Sequence, residues 1–254
     1  DLAGNAAAQA SKTITLDDTA PTGTIDDTLE GDNKVNASED GDVVVSGSSS
    51  GLAAGSTVSV TLADSSSTVS TTATVLSNGA WVAEPADISA LTDGNITVTA
   101  NASDTAGNAA SAATKTITLD NAAPTITIDA TLEGDNIVNI DEDATVVISG
   151  TTANVEDAQT VTVTFSDGTT TISKTASVSS NAFALEVGQL ADITNLNDGP
   201  ITVTASVSDA HGNAATTASR TITLDNLAPQ VSIDATLEVD NIVNNAEEAS
   251  VVVT

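Results

Sequence analysis

Residues 13–36 read TITLDDTAPTGTIDDTLEGDNKVN. The pattern returns at 116–139 as TITLDNAAPTITIDATLEGDNIVN and at 221–244 as TITLDNLAPQVSIDATLEVDNIVN. Each copy leaves one β-branched run, passes an acidic hinge containing Pro21, Pro124 or Pro229, and enters the next run. Such a segment reads as the junction between tandem β-domains. A second motif fixes the period: DLAGNAA at Asp1, DTAGNAA at Asp104 and DAHGNAA at Asp209, 103 and then 105 residues apart. A period near a hundred residues is too long for a solenoid repeat and fits a whole sandwich domain. The chain therefore divides into 1–16, the last strand of a preceding repeat; 17–119 and 120–224, two full repeats; and 225–254, the start of a following one.

Within each full repeat the periodicity is two, with no sustained helical stripe. Val43-Val44-Val45, Thr57 to Leu62 and Ile96 to Ala100 are β-branched runs bounded by Gly, Asn, Asp and Ser. About seven strands are expected in the first repeat, near 22–26, 42–47, 57–63, 68–76, 80–84, 96–102 and 111–119, and the second repeats them at 125–129, 145–150, 160–166, 171–178, 182–187, 201–207 and 216–224. Ser77-Asn78-Gly79 is a hairpin signal. The fold class is all-β, a linear array of immunoglobulin-like sandwiches. Trp81, and Phe183 at the matching place, read as core plugs.

Lys plus Arg number 5 against 35 Asp plus Glu, a formal net charge of −30. Nucleic acids and anionic membrane surfaces require basic partners, so both are disfavoured. No Cys is present, which excludes disulfides and thiolate metal sites. No run of eighteen apolar residues occurs, too little for a helix to cross a bilayer.

The acids concentrate at the junctions. With strands alternating in direction, the loop after the first strand and the end of the last strand share one end of a repeat. The loop before the next repeat's last strand then descends onto that end. This brings Asp17 and Asp18 toward Asp104 and Asn108. It also gathers Asp120 and Asn121 with Asp26, Asp27, Glu30, Asp32 and Asn33, under Asp209 and Asn213. Asp225 and Asn226 repeat the pattern with Asp129, Glu133, Asp135 and Asn136. Two like charges about 6 Å apart repel by roughly 0.7 kcal/mol even in water. Five carboxylates make ten pairs, so the repulsion approaches several kcal/mol against a domain stability of about 5–15 kcal/mol. Oxygen-only donors suit a hard cation, and Ca²⁺ is the expected cofactor. Zinc is poorly served, with no Cys and only His211, which matches Ala106 and reads as an exposed loop residue. The plain alternative is that Asp and Asn are solvated turn formers. Gly31 and Gly134 become Val239 in the third copy, so a site there is in doubt if that glycine needs positive φ.

The combination of TLDN-x-AP, TLEGDN-x-VN and SD-x-x-GN in hundred-residue units resembles the bacterial immunoglobulin-like repeats of giant RTX-type surface adhesins, in their extender regions. The resemblance covers the whole chain. It implies a long rod of sandwiches, calcium stiffening the linkers, type I secretion and a place on the bacterial surface, as in biofilm and ice-binding adhesins. It implies that Asp120, Asn121, Asp209, Asn213 and their counterparts hold the metal. The partners would be neighbouring repeats of the same chain.

Catalysis is not expected. One His and no Cys cannot place a Ser-His-Asp or Cys-His site in both repeats. Paired carboxylates could serve glycoside hydrolysis, but aromatic platforms for sugars are nearly absent. A Lys–Asn isopeptide bond fits poorly, because Lys12 and Lys115 are matched by Arg220. The competing function is a binding module for glycan or host protein, whose loops should vary in Trp, Tyr and Arg. The variable loops here, Ser48 to Leu52 and Thr151 to Asn154, are small and polar.

Overall fold

The structure, a computed structural model, describes residues 2–185, 189–233 and 242. The described residues contain strands and turns and no helix. The first set of strands is β1 (Thr22–Ile25), β2 (Lys34–Asn36), β3 (Ser46–Ser50), β4 (Thr57–Ala63), β5 (Thr68–Thr74), β6 (Ala80–Val82), β7 (Gly94–Ala102) and β8 (Ala113–Asp120). The second set is β9 (Thr125–Ile128), β10 (Ile137–Asn139), β11 (Ser149–Ala153), β12 (Thr160–Ser166), β13 (Thr171–Ser177), β14 (Ala182–Ala184), β15 (Gly199–Ser206) and β16 (Ala218–Asp225). Each set makes a three-stranded sheet, β1-β3-β6 or β9-β11-β14, facing a five-stranded sheet, β2-β8-β7-β4-β5 or β10-β16-β15-β12-β13. These are immunoglobulin-like sandwiches, as the period-two pattern predicts.

The pattern explains the packing. In β4, Val58, Val60 and Leu62 point inward, while Thr57 and Ser59 face water. In β7, Ile96, Val98 and Ala100 are buried, with Ile96 opposite the buried Ile117 of β8. Two separate hydrophobic clusters result, one from Leu29 to Leu119 and one from Ile126 to Leu224. Trp81 is 1 % exposed and Phe183 3 %, so both are core plugs. Each ring lies over a glycine, Gly47 or Gly150, whose missing Cβ is required. A methyl group there would overlap the ring and the carbonyl of Thr24 or Thr127.

The structure differs from the sequence expectation in three places. Among the described residues each sandwich has eight strands, because a three-residue strand was not legible. β2 lies parallel to β8, with Lys34 opposite Thr118 and Asn36 opposite Asp120. The chain thus leaves the small sheet after β1 and joins the large one, so residues 26–33 are a mid-edge crossover rather than an end loop. Second, the run expected at 42–47 forms its ladder at 46–50. Val43 keeps only an isolated bridge to Ala86, while Val43 and Val45 plug the core. The matching run moves from 145–150 to 149–153. Third, the turn at Ser77-Asn78-Gly79 is tight, with the Gly79 N–H donating to Leu76 O at 3.0 Å. It carries the chain between sheets, since β5 and β6 belong to different ones. Residues 2–20, which include the expected final strand of a preceding repeat, carry no strand assignment. Val239 lies outside the described residues.

Trp81 is the sole tryptophan and reports on the first sandwich alone. Gly47→Ala should destabilise that sandwich by about 1–3 kcal/mol or more through overpacking. Gly41→Ala, with open space around it, should stay within about 0.5 kcal/mol. Denaturant unfolding followed by Trp81 fluorescence separates the two, and equal midpoints would show that the ring does not need the glycine.

Candidate metal centre

The acids fall into three groups with different partners. The first is the crossover loop. Leu29, 2 % exposed, anchors it in the core. Asn33 Oδ1 accepts the Leu29 N–H at 2.9 Å and its Nδ2 donates to Asp27 O at 3.1 Å. Glu30 Oε1 accepts the Val44 N–H at 2.7 Å, Asp26 Oδ2 accepts the Ser46 hydroxyl, and Asp32 Oδ1 accepts the Lys34 N–H at 2.9 Å. Lys115 Nζ donates to Asp27 O. The second sandwich copies this with Asn136 on Leu132, Glu133 on Val147, Asp129 on Ser149 and Asp135 on Ile137. Arg220 replaces Lys115 and donates to Ala130 O at 3.0 Å. Glu30 and Glu133 sit at φ 48°, beside Gly31 and Gly134 at φ 86°, so the loop does require the glycine. The structure therefore places Asp26, Asp27, Glu30, Asp32 and Asn33, with Asp129, Glu133, Asp135 and Asn136, in or beside bonds of their own sandwich. The sequence reading misplaced them because it took the crossover for an end loop.

The second group braces turns and was missed. Asp64 Oδ2 accepts the Thr92 N–H at 2.7 Å, while Oδ1 accepts those of Ser66 and Ser67. Asp167 does the same with Asn197, Thr169 and Thr170. The Thr92 and Asn197 N–H groups, foremost among these donors, hold both carboxyls far below the ordinary carboxylate range. Asp87 and Asp192 are lowered in turn by the hydroxyls of Ser89 and Thr194.

The third group belongs to the junctions. The SD-x-x-GN motif folds into a self-braced loop. Asp209 Oδ1 accepts the N–H groups of His211 and Asn213, and Oδ2 accepts Asn213 Nδ2 at 2.8 Å. Asp104 holds Asn108 and Ala106 likewise, and the Asn108 amide is the main cause of its lowered pKa. The asparagine is thus presented to the hinge. Asn213 Nδ2 donates to Asp120 O at 2.8 Å, and Asn108 Nδ2 donates to Asp17 O at 3.0 Å. The expected meetings of Asp17 with Asn108 and of Asp120 with Asn213 occur, but through the hinge carbonyls. Asp18 stays exposed. More bonds cross the second junction: Lys34 Nζ to Ala210 O at 2.7 Å, Asn36 Nδ2 to His211 O at 3.2 Å, and the Ala37 N–H to Asn213 Oδ1 at 2.8 Å.

Below each sandwich the hinge is gripped by acids the sequence reading did not select. Asp93 Oδ1 accepts the Asn121 N–H at 3.0 Å, and Asp40 Oδ2 accepts Asn121 Nδ2 at 3.2 Å. Asp198 accepts the Asn226 N–H in the same way. The available signal was the repeated DG pair at Asp93-Gly94 and Asp198-Gly199. An open groove of about 660 Å³ spans the second junction, lined by Asp93 and Asp120 of one sandwich and Asn154, Glu156 and His211 of the next. Ligand atoms of Asp120, Glu156 and His211 lie within 4.8 Å of one another. His211 is half-buried, with Nδ1 3.5 Å from Asp120 Oδ2, and is not the exposed loop residue its alignment with Ala106 predicts. Carboxylates from both sides of one hinge form a donor set that fits a hard divalent cation. Asn226 Oδ1, a buried acceptor without a donor among the described residues at the next hinge, fits the same chemistry.

The model for the bacterial Ig-like domain matches residues 47–121. No curated protein matches the chain. Among solved structures, a bacterial immunoglobulin-like domain from the M. primoryensis ice-binding adhesin is 34% identical, with 40% of this chain and 99% of that one covered and a TM-score of 0.28. A tetra-tandem repeat in the extending region of a large adhesion protein is 32% identical over 82% of this chain and 50% of that one, TM-score 0.38. A Ca²⁺-stabilized adhesin that helps an Antarctic bacterium reach out and bind ice is 31% identical over 92% and 57%, TM-score 0.46. The chain thus spans only 50% and 57% of the length of these last two.

Asp64→Asn should destabilise the first sandwich. The folded pKa is depressed, so the carboxylate's contribution is complete above the unfolded value, about 3.9, and disappears as pH falls through the lower folded value. The gap between the parent and the variant is therefore full at neutral pH and narrows below about pH 4. Trp81-monitored unfolding at several pH values checks this; a gap that stays constant through pH 3 would contradict it.

Proposed function

Since the chain belongs to the bacterial immunoglobulin-like domain family and carries that fold in tandem, we propose that it is a structural extender segment of a large bacterial cell-surface adhesin. Repeats bounded at 17–119 and 120–224 stack end to end outside the cell. Ca²⁺ at their junctions stiffens the rod. The observation that carries this reading is the groove in which Asp93 and Asp120 of one repeat face Glu156 of the next across a hydrogen-bonded hinge.

The mechanism follows from the two kinds of contact at the hinge. Asn213 and Lys34 fix the register of the repeats through neutral carbonyls. Asp120 and Glu156 are held close by that register and repel one another, with Asp93 lining the same groove. A divalent cation supplies the charge that offsets this repulsion. Asp93, Asp120 and Glu156 would hold it at the second junction, and Asp198, Asp225 and the Asn226 carbonyl would contribute at the third. The first junction offers Asp17 and the exposed Asp18 from the earlier side, with Asp104 and Asn108 above them. Asp26, Glu30 and Asp32, like Asp129, Glu133 and Asp135, are left out of this set because each carboxylate is bonded within its own sandwich. The segment acts as a spacer without catalysis, and its buried Trp81 offers no platform to a glycan.

Small-angle scattering with calcium and with EGTA should show a longer, stiffer particle when calcium is present. Calcium at about 100 times its Kd should also stabilise the chain by about 2.7 kcal/mol. Asp120→Ala combined with Asp93→Ala should remove the scattering response and leave the sheet signal of both sandwiches intact. A profile identical with and without calcium would refute rigidification. Loss of sheet on chelation would place the ion inside the sandwiches instead.

A further inference from the structure

His211 and Glu156 break the repeat. Their counterparts in the first sandwich are Ala106 and Ala53, so the second junction carries two side chains that the first lacks. Both converge on Asp120, the last residue of β8. We propose that this junction holds a transition-metal ion of the Zn²⁺ class on His211 Nδ1, Asp120 Oδ2 and a Glu156 carboxylate oxygen, with water completing the shell. The proposal shares Asp120 and Glu156 with the calcium reading and rests on His211, which that reading does not use.

The histidine geometry is the main ground. Its Nε2 lies 3.1 Å from Thr118 Oγ1, a hydroxyl that accepts an N–H in the tautomer with the proton on Nε2. With the proton there, Nδ1 presents a lone pair, and that atom is buried without a hydrogen-bond partner. It faces Asp120 Oδ2 at 3.5 Å. A proton on Nδ1 would make this contact an imidazole–carboxylate pair; with the proton on Nε2 the two lone pairs converge on one point, where a cation fits. Bonds of about 2.0–2.2 Å around a tetrahedral ion set its ligand atoms roughly 3.3–3.6 Å apart, which matches the observed spacing. A second-sphere donor bond from the other ring nitrogen, here to Thr118, is the usual companion of a metal-bound imidazole.

The carboxylates complete the set. Asp120 Oδ1 accepts the Ala122 N–H at 3.1 Å, which orients Oδ2 toward the ring. Glu156 Oε2 accepts the Ala210 N–H at 2.8 Å, which holds the glutamate beside the histidine's own loop. Glu156 is exposed, so a rotamer change can close the remaining distance. The groove is open to solvent, which gives the ion an entry path. One imidazole and two carboxylates suit zinc, nickel or copper; calcium takes oxygen ligands.

The test uses the whole chain in calcium-free buffer, titrated with ZnCl₂ by calorimetry, with ¹⁵N imidazole spectra recorded in parallel. The chain has one histidine, so one ring reports. One equivalent should bind, shifting Nδ1 and leaving Nε2 protonated. His211→Ala and Glu156→Ala, which copy residues already tolerated in the first sandwich, should each weaken binding about tenfold or more, and Thr118→Val about 10–100-fold. The scattering response of His211→Ala to calcium should be unchanged. Absence of uptake, or a ring that titrates as an ion pair with Asp120 and ignores zinc, overturns the proposal. Uptake unaffected by His211→Ala, meaning an adventitious ion on other carboxylates, overturns it as well. A flat calcium response with intact zinc binding would refute the extender mechanism and leave this site standing.

Discussion

The governing constraint on this chain is a shortage of cations: five Lys and Arg for 35 carboxylates. Ordinary surface pairing is not available at that ratio. Of the cations whose contacts are described above, Lys34, Lys115 and Arg220 donate to backbone carbonyls. The carboxylates are instead satisfied by N–H and hydroxyl donors, each worth more to a charged acceptor than to a neutral one. Turns that would otherwise need water for their backbone donors use aspartate for that purpose. The negative charge is thereby turned into turn structure, at Asp64, Asp167, Asp104 and Asp209 most completely.

This sorting explains why acidity by itself is a poor guide to a metal site. A carboxylate whose oxygens are bonded inside a loop has less left to offer an ion. The TLEGDN crossover is such a case: it joins the two sheets, pins Leu29 or Leu132 into the core and satisfies its acids locally. What remains at the hinge is a smaller set, and it is drawn from segments far apart in sequence. Asp93 precedes β7, Asp120 ends β8, and Glu156 belongs to the next sandwich. There, charges from different sandwiches meet.

Junction geometry depends on two features acting together. The self-braced loop before β16 is rigid, because Asp209 and Asn213 are both buried and bonded to one another. It therefore delivers its asparagine to the hinge carbonyl at a fixed place. Pro21 and Pro124, both buried, restrict the chain just beyond that carbonyl. Polar bonds of this kind set orientation; they contribute little net free energy, about 0.5–1.5 kcal/mol each. An added ion would act on a register that the backbone has already chosen.

The sequence by itself determined the sandwich, the hundred-residue repeat, the core plugs at Trp81 and Phe183, and the pairing of hinge with SD-x-x-GN loop. These depend on period-two alternation and on self-similarity, which survive in one dimension. It raised the glycine question at Gly31, which the positive φ of the folded loop answered. Tertiary structure alone decided which acids are neighbours. A three-residue strand, β2, is too short to show alternation, yet its parallel pairing with β8 moves the crossover loop away from the end of the sandwich. His211 looked like a loop residue by comparison with Ala106, and only folding set it against Thr118 and Asp120. Coordination is a property of distance between atoms, and distance between remote segments is what a linear pattern of charges does not contain.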